Sequence, residues 1–320
     1  MEINLDRIPN NDIRPSEQEL PLTGCGRGMV PAEASRLPRW LKRKLPKGDV
    51  NHFTAQVLQE LKLHTVCEEA RCPNRPECYA HRTATFLILG DICTRGCRFC
   101  SVRKGKPLPP DPDEPRRVAE AVYRLGLRHV VLTCVTRDDL PDGGASQFIR
   151  TIEEIRRRGD VTIEILPSDL GGNLAALDSL IEARPDVYNY NTETVPRLYR
   201  SVRGPQANYR WTLTIFRRIR ELAPEMGRKT GLMLGLGETV EEVLESLAEL
   251  ADAGCQMVTI GQYLRPSPAQ MPVARYVPPE EFEWLGELAR RLGFREVASG
   301  PFVRSSYHAA EMFQHACADK

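Results

Sequence analysis

The stretch that decides the fold is TATFLILGDICTRGCRFC, Thr83–Cys100. Its first part, 83–90, is β-branched and apolar over the length of one buried strand. Three cysteines follow at once, Cys93, Cys97 and Cys100, with the spacing C-x3-C-x2-C. Gly96 lies among them and should allow a tight turn of the backbone. A strand that runs directly into three thiols predicts a ligand site at the carboxyl end of a sheet.

Downstream, strand-length apolar runs alternate with helix-period segments about every thirty residues, which is typical of βαβ units and a parallel sheet. This pattern predicts an α/β fold, an incomplete (β/α)6 TIM-type barrel with its functional groups at the carboxyl ends of the strands. An open doubly wound sheet is the alternative. The further strands are predicted at 129–134, 161–166, 186–191, 230–236 and 257–264, with a seventh at 296–300, and the helices at 114–125, 145–158, 211–223, 239–254 and 279–293.

Three parts of the chain are predicted from this pattern. Residues 1–82 form an N-terminal extension with its own cysteine motif, 83–295 form the partial barrel, and 296–320 form a C-terminal capping segment. Thr239 and Glu242 have the spacing of a capping box at a helix start, and Gly293 stands where a helix should stop.

The composition is ordinary for a globular chain of 320 residues, with 41% apolar residues, 27% charged residues and a formal charge of +1. A balanced charge argues against nucleic-acid binding. Neither a signal peptide nor a membrane span is visible, so we expect a cytoplasmic protein without a membrane partner. One local exception, Arg36–Gly48, carries six basic residues and no acidic one. It is either a solvated arm or a docking strip for an acidic partner.

A second cysteine triplet precedes the barrel. Cys67, Cys72 and Cys78 have the spacing C-x4-C-x5-C. A reducing compartment makes clustered thiols metal ligands rather than disulfides. For the first triplet, Cys93, Cys97 and Cys100, a four-iron cluster held by three thiols would leave one iron open for another ligand, by the logic of open catalytic metal sites. A zinc site with a histidine or a distant cysteine as fourth ligand is the alternative for that triplet.

At these residues the chain resembles the radical S-adenosylmethionine enzymes, which carry the C-x3-C-x2-C loop after a first strand. GLMLGLGE, Gly231–Glu238, is similar to that superfamily's G-x-I-x-G-x-x-E adenosine-binding stretch, and GQYL, 261–264, lies on the next strand. CEEARCPNRPEC, Cys67–Cys78, resembles the auxiliary-cluster motif of the lipoyl synthase family, and RSSY, 304–307, resembles that family's C-terminal motif. The resemblance extends from Trp40 to about Ala309.

The resemblance implies two [4Fe-4S] clusters and S-adenosylmethionine as cofactors. It also implies a metal-ligand role for each triplet and for Ser306, whose alkoxide would complete the auxiliary cluster. Arg304 would orient the RSSY turn or contact substrate. For the charged residues a rim salt bridge is the alternative. The implied cofactor contacts are Gly231, Gly235, Glu238, Gln262, Glu193 and Arg203, and the implied metal ligands are Cys67, Cys72, Cys78, Ser306, Cys93, Cys97 and Cys100.

The activity implied by the resemblance is the insertion of sulfur at C6 and C8 of an octanoyl chain carried on a lysine, with the auxiliary cluster as sulfur donor. The implied partners are an octanoylated carrier, either the E2 subunit of a 2-oxoacid dehydrogenase or the glycine-cleavage H protein, an electron donor such as flavodoxin or ferredoxin, and an iron–sulfur carrier that rebuilds the cluster.

Four positions depart from the family pattern. Thr136 replaces an aspartate, Tyr190 stands where a His-Asn pair is common, Gly204 opens a run that replaces Arg-Pro-Gly-Ala, and Thr212 replaces a serine. These departures leave open a radical enzyme of the same build with another acyl substrate or carrier. A non-catalytic zinc or iron–sulfur binding protein is the alternative from another class.

Overall fold

The computed structural model describes residues 37–42 and 52–318. Its strands are β1 (His64–Thr65), β2 (Thr85–Ile88), β3 (Ile92–Cys93), β4 (Arg103–Lys104), β5 (His129–Cys134), β6 (Thr162–Leu166), β7 (Val187–Asn189), β8 (Gly227–Leu234), β9 (Met257–Gln262) and β10 (Glu296–Gly300). Its helices are α1 (His52–Glu60), α2 (Val66–Glu69), α3 (Arg75–Ala80), α4 (Glu114–Leu125), α5 (Ala145–Arg156), α6 (Leu174–Glu182), α7 (Tyr199–Arg203), α8 (Tyr209–Leu222), α9 (Val240–Asp252), α10 (Pro279–Arg291) and α11 (Ala309–Ala318).

Eight of the strands form one sheet in the order β1-β2-β5-β6-β7-β8-β9-β10. Neighbours from β2 to β10 are parallel, and β1 alone is antiparallel to β2. Within the described residues no ladder joins the two edge strands, so the barrel is incomplete. The predicted fold is confirmed, including the seventh strand, β10. The antiparallel strand β1 and the small β3–β4 pair were not predicted, because each strand is only two residues long.

The helices begin and end where local chemistry favours it. At the start of α9, Thr239 Oγ1 accepts a hydrogen bond from the Glu242 amide at 3.3 Å, and the Glu242 carboxylate accepts one from the Thr239 amide at 2.8 Å. This confirms the predicted capping box. Gly293, just beyond α10, has φ +106°, as the predicted helix stop requires. No described helix is long and apolar enough to cross a membrane.

A buried charged layer crosses the interior of the barrel below the carboxyl ends of the strands. The Lys229 ammonium lies 3.1 Å from both carboxylate oxygens of Glu164. The Asn189 amide donates to the same carboxylate at 2.8 Å, and His129 Nε2 lies 3.6 Å from it. In-register neighbours in a parallel sheet point to one face, so these side chains share the barrel interior.

The last helix covers this layer from below. The Phe313 ring packs on His129 with 6.1 Å between ring centroids. Met312 forms a buried cluster with Val187 and Met257, which lie at the amino ends of β7 and β9. Helix α11 therefore forms the floor of the barrel and keeps water from the ion pair.

We expect Lys229→Met to destabilise the protein by about 3–5 kcal/mol, because it leaves the Glu164 charge buried without its cation. Chemical unfolding at neutral pH measures this loss. The matched double variant Glu164→Leu/Lys229→Met should regain most of it, because no charge then remains buried. Equal stability of the two variants would show that the unpaired Glu164 charge is not the cause of the loss.

The pH dependence of unfolding should follow the same pair. Burial raises the pKa of Glu164, but Lys229 and His129 outweigh this effect and hold the pKa below its usual value. The pair therefore contributes stability above the ordinary carboxyl pKa, and this stability is lost as the pH falls through the lower folded-state value. Acid unfolding followed by circular dichroism should show a shallower loss in the double variant than in the wild type.

Candidate functional site

A cavity of about 500 Å³ opens at the carboxyl ends of the strands. Its walls come from the loop after β2, the N-terminal segment around α2 and α3, and the turn before α11. Gly235 and Glu238 are the two predicted site residues outside this lining. The predicted residues that line it are Cys67, Cys72, Cys78, Cys93, Cys97, Cys100, Glu193, Arg203, Gly231, Gln262, Arg304 and Ser306.

The first triplet lies on residues 93–100, which we call the thiol loop. Arg95 anchors this loop to the next two βα loops, since its guanidinium donates to Asp138 at 2.8 Å and to Asp169 at 2.5 Å. The Thr94 hydroxyl donates to the same Asp138 carboxylate at 3.0 Å. Burial raises the pKa of Asp138, but Arg95 lowers it more, so the carboxylate stays ionised for this contact. The thiols are therefore held by a charged clamp behind the loop.

Gly96 does not use the left-handed backbone region that favours glycine, since its φ is not positive. A Cβ at Gly96 would lie 3.3 Å from Cδ of Lys104. The Lys104 side chain therefore lies against the thiol loop.

The second triplet is joined to the RSSY turn by contacts across the whole length of the chain. The Asn74 side-chain amide donates to the Phe302 carbonyl at 2.8 Å, and the Tyr307 hydroxyl donates to the Glu77 carboxylate at 2.8 Å. Asn74 lies between Cys72 and Cys78, so both contacts act beside the cysteines. Ser306 thereby lines the same cavity as the triplet that it was predicted to complete.

The donor set suits iron–sulfur groups. Burial raises the pKa of Cys67 to about 11 and that of Cys100 to about 12. A buried thiol resists ionisation by itself, and a cationic iron centre offsets that cost. Thiolates are the ligands that iron–sulfur clusters use. A zinc site would need a fourth ligand beside one triplet; among the described residues no histidine lines the cavity, whereas the cysteine Cys134 does.

Glu193 and Arg203 belong to the opposite wall. The Arg203 guanidinium lies 5.3 Å from the Tyr190 ring centre and 5.2 Å from that of Tyr199, and it donates to the Asn191 carbonyl at 2.9 Å. The Cys97 thiol donates to the Arg203 carbonyl at 3.4 Å. Burial raises the pKa of Glu193, and Arg203 offsets only part of that effect. Among the described residues neither charge forms a salt bridge, so the rim salt bridge is wrong for this pair.

The four departures from the family pattern divide into two kinds. Thr136 and Tyr190 line the cavity. Thr212 is buried on α8, where its hydroxyl pairs with that of Tyr199 at 2.9 Å, and Gly204 ends α7 with φ +95°. Only the first two can therefore touch a ligand, and the other two shape the support behind Arg203.

The glycine-rich stretch after β8 acts mainly through its backbone. The Glu238 carboxylate accepts hydrogen bonds from the amides of Gly235 at 2.5 Å and Leu236 at 2.9 Å, which closes the turn. The Gln262 side chain is used in the same way, since it donates to the Leu234 carbonyl and accepts from the Val277 amide at 2.8 Å. These side chains therefore shape the turn beside the cavity.

Asn191 is the site residue that the sequence interpretation missed. It follows β7, where the polar ends of parallel strands collect, and that position was the available signal. Its Nδ2 donates to Ser305 Oγ at 3.2 Å, and its buried Oδ1 has no hydrogen-bond partner among the described residues. A Cβ at Gly231 would lie 2.7 Å from that oxygen. Gly231 thus keeps open the space that Asn191 faces.

The family comparisons agree with this arrangement. The model of the radical SAM superfamily matches residues 87–251, which include most of the barrel and the thiol loop. The chain therefore belongs to the radical SAM superfamily.

The model of the N-terminal domain of lipoyl synthase matches residues 26–72. The lipoyl synthase of Rhodopirellula baltica is 51% identical and that of Thermus thermophilus 49% identical, each over 93% or more of both chains. That of Caldanaerobacter subterraneus is 56% identical over 86% of this chain and 96% of its own. Within the superfamily, the chain belongs to the lipoyl synthase family.

Solved structures share the fold alone. Streptococcus suis SuiB bound to its precursor peptide SuiA superposes with a TM-score of 0.52 at 9% identity, over 74% of this chain and 54% of SuiB. HydG, a maturase of the [FeFe]-hydrogenase, gives a TM-score of 0.50 at 15% identity, over 83% of this chain and 75% of HydG. The partial barrel is therefore common to proteins of very different sequence.

Gly231→Ala should weaken the binding of S-adenosylmethionine strongly, because the added Cβ meets Asn191 Oδ1 at 2.7 Å and Thr259 Oγ1 at 3.0 Å. We also expect a loss of about 1–3 kcal/mol in unfolding free energy from overpacking. Equilibrium dialysis with the reconstituted protein and chemical unfolding measure the two effects. Gly159→Ala is the matched control, since nothing lies within 4 Å of its added Cβ. Wild-type binding by Gly231→Ala would contradict the role of this position.

Proposed function

We propose that this chain is a lipoyl synthase, which inserts two sulfur atoms at C6 and C8 of an octanoyl group bound to a carrier-protein lysine. The observation that carries the proposal is the convergence of two thiol triplets and Ser306 on one cavity. One triplet would suffice to cleave a cofactor. A second, in reach of the same substrate, supports a reaction that also consumes sulfur.

Each group of ligands would have its own task. Cys93, Cys97 and Cys100 would hold the cluster that binds S-adenosylmethionine, and the second triplet with Ser306 would hold the auxiliary cluster. When bound, these cofactors supply a radical that removes hydrogen from carbon and a sulfide that the carbon attacks. A serine oxygen is a harder ligand than a thiolate, so its corner of an iron–sulfur group should open more easily.

The protein's own side chains would position the reactants and exclude water. Gly231 and the unpaired Oδ1 of Asn191 would receive a hydrogen-bond donor of the cofactor. Arg203 is fixed between two tyrosines and would stabilise the thiol loop through its carbonyl and Cys97. Arg304 donates to the Val303 carbonyl at 2.6 Å and would keep the RSSY turn in register with β10.

The finer partners are part of the proposal. The carrier would be the E2 subunit of a 2-oxoacid dehydrogenase or the glycine-cleavage H protein, and a flavodoxin or ferredoxin would supply electrons. An iron–sulfur carrier would rebuild the auxiliary cluster after its sulfur is used. The protein would work in the cytoplasm, because a reducing compartment keeps its many free thiols from forming disulfides.

A second candidate is a radical enzyme of the same build with another acyl chain or carrier. Thr136 and Tyr190 favour it, since both depart from the family pattern and both line the cavity. The deciding experiment incubates anaerobically reconstituted protein with S-adenosylmethionine, a low-potential reductant and an octanoyl-lysine peptide. A peptide that gains two sulfurs together with 5′-deoxyadenosine supports lipoyl synthesis. Formation of 5′-deoxyadenosine with an unchanged peptide would contradict it and favour the second candidate.

Variants of the two triplets should separate the two half-reactions. Cys97→Ala should reduce 5′-deoxyadenosine formation to background, because it removes a ligand of the first cluster. Cys67→Ala and Ser306→Ala should still form 5′-deoxyadenosine but should insert little or no sulfur at either carbon, because the auxiliary cluster is the source of both atoms. Cys317→Ala is the control, since this cysteine is exposed and is not part of the cavity lining. Sulfur insertion at the wild-type rate by Cys67→Ala would overturn the assignment of the second triplet.

A further inference from the structure

A basic segment crosses the outside of the thiol loop. Residues 103–108, which we call the basic strap, follow the loop directly and include β4. Arg103, Lys104 and Lys106 are exposed on it, and Leu108 is 79% exposed. An exposed apolar side chain beside positive charges is typical of a transient protein interface.

The thiol loop has two sides with different chemistry. Its sulfurs line the cavity, whereas Gly96 and Arg98 are exposed on the outer side. Lys104 lies against Gly96, since a Cβ at that glycine would meet Lys104 Cδ at 3.3 Å and Nζ at 3.8 Å. The strap therefore lies against the exposed side of the thiol loop, where β4 pairs with Ile92 and Cys93.

The charge of this surface is concentrated and largely uncompensated. Arg103 pairs with Asp91. Arg98, Lys104 and Lys106 have no carboxylate within salt-bridge distance in the part of the chain that the structure describes. The chain as a whole has a formal charge of only +1, so a local excess of three cations stands out and will attract an acidic partner.

We propose that the basic strap is the docking surface for an acidic protein that donates single electrons to the iron–sulfur group of the thiol loop. The inference rests on the proposed function. In the step itself the donor is oxidised by one electron, the iron–sulfur group is reduced by one electron, and no proton moves. An acyl carrier must deliver its chain into the cavity, on the side of the sulfurs. An electron donor has only to approach the outer side of the loop, where the strap lies.

The first test compares two reductants on the full chain with both clusters reconstituted. Lys104→Glu/Lys106→Glu should lower the initial rate of 5′-deoxyadenosine formation roughly tenfold or more with enzymatically reduced flavodoxin, because charge reversal removes electrostatic steering. The rate with dithionite should stay at the wild-type value. Arg210→Glu/Arg217→Glu, on exposed positions of α8, is the matched control and should change neither rate.

The second test measures binding without turnover. The affinity of oxidised flavodoxin for the immobilised protein should fall in Lys104→Glu/Lys106→Glu but not in the control, and added salt should reduce the difference. Lys106→Glu/Leu108→Asp leaves Lys104 and the thiol loop untouched, and it should show the same loss. This variant keeps the test valid if a change at Lys104 disturbs the loop.

Each remaining outcome overturns the proposal. Wild-type rates and binding with flavodoxin would show that the donor docks elsewhere. Equal losses with flavodoxin and dithionite would show that the strap only supports the loop. In another outcome, the strap variants fail to convert an octanoylated carrier protein while they still form 5′-deoxyadenosine with flavodoxin. That result would show that the strap binds the carrier. A failure of the proposed function would be seen in a different assay. In that case the wild-type protein, reduced with dithionite, would add no sulfur to an octanoyl-lysine peptide.

Discussion

Two hydrogen bonds join segments more than two hundred residues apart and bring the second triplet and the RSSY turn together. Asn74 reaches the Phe302 carbonyl across 228 positions, and Tyr307 reaches Glu77 across 230. The barrel alone supplies only the thiol loop. The other thiols and Ser306 come from outside it, and these contacts place them over the same cavity. Closing such a long loop costs chain entropy, but this cost grows only slowly with loop length, so a few part-buried contacts can offset it.

Burial gives the thiols a second property. Cys67 and Cys100 have pKa values raised to about 11 and 12, and Cys134, which also lines the cavity, is raised to about 12. A thiol in that state is a poor nucleophile and resists oxidation. Bound iron lowers the pKa of these thiols, because it supplies a positive charge beside the sulfur atoms. Binding of the metal and release of the thiol proton are thus one event, and the site becomes reactive only when it is loaded.

The sequence was sufficient for the barrel because its strands and helices carry strong local periodicity. Helix α4 was predicted with the bounds that it has, since Pro115 opens it and Gly126 closes it. The two-residue strands were missed because their pairing depends on the fold and not on local preference. The contact between Gly96 and Lys104 could not be predicted for a similar reason, since it joins the thiol loop to β4. Asn191 was overlooked because an unpaired buried oxygen becomes visible only once its surroundings are built.

The floor of the barrel has a consequence for biosynthesis. Helix α11 is the final described element of the chain, and it follows the RSSY turn directly. Until α11 and the RSSY turn have been synthesised, Glu164 and Lys229 lack the helix that covers them, and the second triplet has no serine beside it. The thiol loop, by contrast, emerges in the first third of the chain. Order of synthesis therefore separates the two metal sites in time: the residues that hold the thiol loop are complete once Arg203 has been added, and the second site is complete only after Ser306.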